Sequence, residues 1–385
     1  MATINGTCDE RFASVRDTMA GNLDSGADIG SSVAVYLDGE LVVDLWGGTI
    51  TDLDGNKGEW QQDTLVNVFS TTKTMCNLSA LVLADRGEID LDAPVATYWP
   101  EFKANGKEGV LVKHLLSHTA GLSGFEEQVT EADLYDWDKC CELLAAQAPW
   151  WTPGDGSGYH AVTQGYLVGE VVRRVTGQSL GTFFRTELAE PLGADFHIGT
   201  RAECDPRVAR LIPAPPAAAP PGTNPDSVLF KTFRSPQVRA EASWTEPWRR
   251  AEIPAANGHG NARSVARVQS IVSHGGEVNG KRFLSPATIE RIFESQSSTP
   301  DRVLGLAIDF GIGYGIVGAG LPVMPTEKGC FWGGWGGSLV VNDLTHRMTV
   351  AFVMNKMGEG TTGDARGAGI MWAAGGSLDS DPVNG

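Results

Sequence analysis

Ser70-Thr71-Thr72-Lys73 is the one Ser-x-x-Lys in the chain, and it pairs a potential nucleophile with a potential base. In a helix opening at Ser70, Lys73 lies on the same face one turn later. A lysine desolvated there is neutral and can take the hydroxyl proton, and the helix N-terminus favours the negative charge that develops. The plainer alternative is an N-cap serine beside a solvated lysine. Two further segments bear on the choice. Residues 153–161, Pro-Gly-Asp-Gly-Ser-Gly-Tyr-His-Ala, form a turn-rich loop that presents Tyr159 and His160 just before a helix. Residues 330–338, Cys-Phe-Trp-Gly-Gly-Trp-Gly-Gly-Ser, read as a glycine-dense strand entry where backbone can approach a ligand closely. Gly177-Gln178-Ser179-Leu180-Gly181 matches Gly-x-Ser-x-Gly, but that motif needs a strand-to-helix turn. Here it follows a helix, so Gly177 reads as a C-cap and Ser179 as the next N-cap. No His-Glu-x-x-His and no phosphate-binding Gly-x-x-x-x-Gly-Lys-Ser/Thr occurs, and the 7 histidines are dispersed, which argues against a metal centre.

In order, Ser70-Thr-Thr-Lys73, Tyr159-His160-Ala161 and Trp332-Gly333-Gly334 resemble the three motifs of the serine β-lactamase and penicillin-binding-protein superfamily. The likeness is to its class C-like branch, which contains the family VIII carboxylesterases. The spacers also fit, among them Val112-Lys-His-Leu-Leu-Ser-His-Thr-Ala-Gly-Leu122, Asn261-Ala-Arg-Ser-Val-Ala-Arg267 and residues 83–95. The resemblance implies that Ser70 attacks a carbonyl, that Lys73 is the general base, and that Tyr159 relays the proton to the leaving group and later activates water. It implies an oxyanion hole from the backbone N–H groups of Ser70 and Trp335, and no metal or cofactor. Two positions depart from the pattern. Ala161 stands where an asparagine is usual, and Trp332 where lysine or histidine is usual. With the carboxylate-binding cation gone, Trp332, Trp335, Gly333, Gly334 and His160 are expected to line a cleft for small neutral esters, joined by Trp150 and Trp151. The alternative is an amide-bond hydrolase of the same fold: a β-lactamase, D-amino-acid peptidase or other amidase. His118 reads as a structural loop histidine.

The elements that must position these groups follow from patterning. Residues 31–46 alternate around Asp38-Gly39, a hairpin signal. Helical patterns cover residues 70–85, 166–175 ahead of Gly177, 264–274, and a start at Ser285; residues 370–374 read as a final helix ended by Gly375-Gly376. Residues 313–317, 338–341 and 348–354 read as strands. Residues 212–226, rich in Pro and Ala, read as an irregular loop. Strands at both ends and helices between them predict an α+β fold: an antiparallel sheet domain from residues 1–75 and 255–385, flanked by helices. Residues 76–254 form a mostly helical insert, with the active site at the interface.

Composition sets the outer bounds. The 47 acidic against 30 basic residues give a net charge of −17, and no basic stripe offers a nucleic-acid surface. Residues 1–11 lack a signal-peptide pattern, and the charge-free stretch 310–326 is broken by glycines and prolines, so neither secretion nor membrane spanning is expected. The 6 scattered cysteines suit reduced thiols in a cytoplasmic protein. The expected partner is a small-molecule ester.

Overall fold

A computed structural model of the chain describes residues 2–215, 224–318, 321 and 323–379. Its centre is an antiparallel sheet built from both ends of the sequence. The strands are β1 (Ile4–Cys8), β2 (Gly30–Leu37), β3 (Glu40–Thr51), β4 (Lys57–Glu59), β5 (Gly315–Ile316), β6 (Gly329–Gly333), β7 (Leu339–Asp343) and β8 (Met348–Met354). They lie in the order β1-β3-β2-β8-β7-β6-β5, with β4 paired to β3. Asp38 and Gly39 join β2 to β3 with φ of 48° and 87°. Two successive left-handed residues are what a two-residue hairpin turn demands. β8 is buried throughout and β2 nearly so, which requires cover on both faces of the sheet.

Helices supply that cover. The principal ones are α1 (Ala13–Asp24), α2 (Thr72–Asp85), α3 (Trp137–Ala146), α4 (Thr163–Thr176), α5 (Leu180–Phe184), α6 (Val228–Arg234), α7 (Ala262–Ser273), α8 (Pro286–Ile292) and α9 (Ala365–Asp379). α1 and α9, from opposite ends of the chain, pack on each other, while α7 lies across β2, β8 and β7. Asn261 caps α7 by accepting the Ser264 N–H, and the Ser264 hydroxyl in turn accepts the Asn261 N–H. α2 is buried from Thr72 to Leu83 and packs against α4, α5, α7 and α8, so it is a central post, not an amphipathic surface helix.

Two expectations change. The boundary placed between residues 75 and 76 falls inside α2, which touches both the sheet-side α7 and the helical α4 and α5. α9 continues through Gly375-Gly376 to Asp379. A Cβ at Gly375 would lie 2.8 Å from Pro325 Cγ, so this glycine admits a close contact and does not stop the helix. Of the Pro/Ala-rich stretch, residues 216–223 lie outside the described residues. Ser179 does cap α5 through the Thr182 N–H, and Gly177, at φ 71°, closes α4. No helix among the described residues is long and apolar enough to cross a membrane.

Candidate active site

Ser70 sits in a 3₁₀ turn, Phe69–Thr71, that runs directly into α2, and no side chain caps that helix. Its hydroxyl is therefore free for other partners. The turn is fixed from both flanks. The Val68 N–H donates to Gly258 O at 2.9 Å, and Ser338 Oγ donates to Val68 O at 2.9 Å while meeting Thr71 Oγ1 at 2.9 Å. Phe69 has φ 44°, a left-handed conformation that a bulky residue adopts only at a cost in strain. Its ring packs against Trp335 and Trp248, at centroid separations of 5.0 and 6.2 Å, and this packing holds it there.

Two groups converge on the Ser70 hydroxyl. Tyr159 Oη donates to Ser70 Oγ at 2.5 Å, and Lys73 Nζ lies 3.1 Å from the same oxygen. Lys73 Nζ also donates to Ala161 O at 2.7 Å and to Ala255 O at 2.9 Å. Burial holds the Lys73 amine well below the usual lysine range, so the neutral form is favoured. A neutral amine has two N–H groups and one lone pair. The two carbonyls take both N–H groups, which leaves the lone pair for the Ser70 O–H. Burial acts oppositely on Tyr159, raising its pKa and keeping the phenol protonated as a donor.

The tyrosine loop is moulded by two other segments. Gly158 N–H donates to His118 O at 3.0 Å, and His160 N–H donates to His118 Nδ1 at 3.0 Å. The Tyr159 N–H donates to Asp301 Oδ1 at 3.0 Å, an oxygen that also accepts from Val303 and Leu304. His118 is thus a template for the loop. Asp301 was not foreseen. Its one sequence signal is the propensity of aspartate to accept backbone N–H groups two and three residues on.

The cleft is not lined as expected. It has a volume of about 590 Å³ and is bounded by Ser70, Tyr159, Phe69, Trp335, Val238 and the α6 residues Leu229, Phe230 and Phe233, with Arg234 at its wall. Trp332 is buried beneath it, its ring 5.5 Å from Tyr159 and 5.4 Å from Phe310. Gly333 and Gly334 pack backbone-to-backbone against Thr362 and Val68, and neither is among the residues that bound the cleft. His160 is wholly buried; Nε2 accepts the Leu122 N–H at 3.1 Å, and Nδ1 pairs with Gly158 O at 2.6 Å. Burial lowers its pKa to about 3, so it stays neutral. Trp150 lies against Lys231 and Trp151 against His160 and Arg302; neither lines the cleft. Trp335 does line it, and among the described residues the N–H groups of Ser70 and Trp335 make no hydrogen bond. The apolar residues of α6 were missed because the segment carries no motif, only a Ser227 N-cap ahead of Leu-Phe and Phe.

Comparison with known proteins places the chain in a family. The beta-lactamase family model matches residues 15–371. The esterase/beta-lactamase LipL of Mycobacterium tuberculosis is 37% identical over 369 residues, which is 91% of this chain and 83% of that protein. Among solved structures, a family VIII carboxylesterase aligns with a TM-score of 0.91 and 40% identity, covering 98% of this chain and all of that one (100%). A penicillin-binding protein homologue from Caulobacter crescentus aligns with a TM-score of 0.89 and 40% identity, over 98% and 100% of the two chains. The chain belongs to the beta-lactamase family, within the serine β-lactamase and penicillin-binding-protein superfamily, and is by that membership a serine hydrolase.

Proposed function

We propose that the protein is a serine carboxylesterase that hydrolyses small neutral esters through an acyl-enzyme on Ser70. The observation that carries this reading is the hydroxyl of Ser70 held between Lys73 Nζ and Tyr159 Oη at the floor of a largely apolar cleft. As Ser70 Oγ attacks the ester carbonyl, its proton passes to the Lys73 lone pair, and the developing oxyanion is met by the N–H groups of Ser70 and Trp335. Tyr159 gives its proton to the departing alcohol oxygen and is reprotonated from the Lys73 ammonium. Water then attacks the acyl carbonyl, surrendering a proton along the same route, and Ser70 is restored with release of the acid. Initial rates on p-nitrophenyl acetate and butyrate, set against nitrocefin and D-alanyl amides, test the reading, and preference for the amides overturns it. Fluorophosphonate labelling that persists in Ser70→Ala would show that another nucleophile operates.

Amide or β-lactam hydrolysis is the second reading, favoured by Arg234 at the cleft wall, a cation able to meet a substrate carboxylate, and by the double name of LipL. Nitrocefin turnover that vanishes in Arg234→Ala while ester turnover persists would support it. For the setting, we infer a cytoplasmic enzyme whose partner is a small-molecule ester, with no part for nucleic acid or membrane; the six unpaired cysteines support this. Recovery of the tagged chain outside the cytoplasmic fraction would count against it.

A further inference from the structure

α6 is built the wrong way round for a helix that exists to stabilise the fold. Val228 packs inward against the buried cluster around Tyr159, but the helix's other inward contacts are polar. Thr232 is buried with Oγ1 2.7 Å from Ser123 Oγ, and Lys231 Nζ pairs with Glu126 at 3.0 Å while lying 4.2 Å from the Trp150 ring centroid. The helix backbone rests directly on Gly124, where a Cβ would stand 3.0 Å from Thr232 Cα and 3.3 Å from Lys231 O. Its large apolar side chains point elsewhere. Leu229, Phe230 and Phe233 line the cleft and are 39%, 37% and 41% exposed. They are three of the six exposed large hydrophobic residues among the described residues, all on one seven-residue helix. Soluble proteins seldom leave apolar side chains clustered in water without a purpose. The part of these side chains still in water contributes nothing in the free chain, and its burial becomes available when an apolar ligand enters.

We propose that Leu229, Phe230 and Phe233 are specificity-determining residues that receive an apolar chain of the ester. The substrates are then esters carrying a linear apolar group of about four or more carbons, each fully buried methylene of which raises affinity roughly fourfold. This rests on the esterase reading above and specifies its substrate. Ser70 opens into the same cleft, so the chain and the reacting carbonyl occupy one continuous space. The acyl chain and the alcohol chain offer the same chemistry to this wall, and two series of substrates separate them.

The test measures kcat/KM for p-nitrophenyl acetate, butyrate and octanoate, and for the acetates of ethanol, butanol and octanol. The parent is expected to gain with length in one series. In Phe230→Ser/Phe233→Ser the long-to-short ratio in that series falls about tenfold or more, chiefly through KM. Phe233→Leu alone keeps the ratio, because it retains an apolar side chain. Leu229→Ser gives the same reading on a milder change if the double variant does not fold, as judged by its thermal unfolding. Ratios that stay at parental values in both series overturn the proposal. A parent that hydrolyses none of these esters refutes the esterase reading instead.

Discussion

Lys73 is held by two carbonyls on different segments, and one residue sets the gap between them. Gly165, in the first turn of α4, faces the 254–255 segment, where an added Cβ would lie 2.5 Å from Ala255 N and 2.9 Å from Pro254 C. Real Cβ contacts essentially never fall below 3.0 Å, so Gly165→Ala must drive α4 and residue 255 apart by about half an ångström. Ala161 precedes α4, and its carbonyl and that of Ala255 receive Lys73 at 2.7 and 2.9 Å. The second bond then stretches past about 3.2 Å, where an N–H···O bond weakens. Lys73 loses the arrangement that aims its lone pair at Ser70. On p-nitrophenyl butyrate we expect kcat to fall about 10- to 100-fold, with KM little changed. Stability should move less: about 1–3 kcal/mol of overpacking is partly offset by about 1 kcal/mol from replacing glycine in a helix. Gly21→Ala is the control, exposed on α1 with nothing within 4 Å, and should stabilise the fold by about 0.5–1 kcal/mol without touching kcat. Parental kcat in Gly165→Ala would refute the reasoning.

Lys73→Met should lower kcat/KM by about 10³-fold or more, and the parent's pH–rate profile should show an acid limb ending well below 10.5. The same burial makes the unfolded chain bind one more proton between the depressed folded pKa and 10.5, so stability rises with pH through that window; denaturant midpoints measured as pH approaches 10.5 from below should rise less in Lys73→Met. His160 and His259 each have a folded pKa of about 3, below the free value of 6.5. Their contribution is whole above 6.5 and is lost as pH falls toward 3, so the urea midpoint should drop between pH 6.5 and 5, less so in His160→Gln. Tyr159→Phe should cost about 10²- to 10⁴-fold in kcat on the same ester. Trp332→Lys should destabilise the fold by about 3 kcal/mol or more, measured by denaturant, and should bring no gain in nitrocefin binding, because the side chain lies beneath the cleft.

The chemistry was more legible than the container. Tyr159 entered only through the resemblance of three ordered motifs, whereas Ser70 and Lys73 could be paired from type and spacing, because a helical turn fixes what a serine and a lysine three residues later can reach. The hairpin at Asp38-Gly39 and the caps at Gly177 and Ser179 were legible for the same local reason. Depth was not. Whether Trp332 faces the cleft or lies under Tyr159 depends on how far β6 sits below the tyrosine loop, and a two-residue strand period carries no such information. Gly333 and Gly334 were read as room for a ligand, whereas the room is filled by the Thr362 and Val68 backbones. The apolar face of α6 was invisible because a helix of seven residues has too few positions to reveal which side is turned inward.

β2 lies beside β8, so Gly30–Leu37 has no neighbour on that edge until Met348–Met354 has been made. On the ribosome the first hairpin must wait for more than three quarters of the chain, and closing so long a loop is slow. The Val68–Ser338 link spans 270 positions of sequence and imposes the same wait on the nucleophile turn. The emerging chain therefore carries Ser70 and Lys73 long before it can use them. Ester hydrolysis on a nascent or C-terminally truncated chain should be absent until β8 is complete, and the waiting edge of β2 is where a chaperone, or a second nascent chain, would engage first.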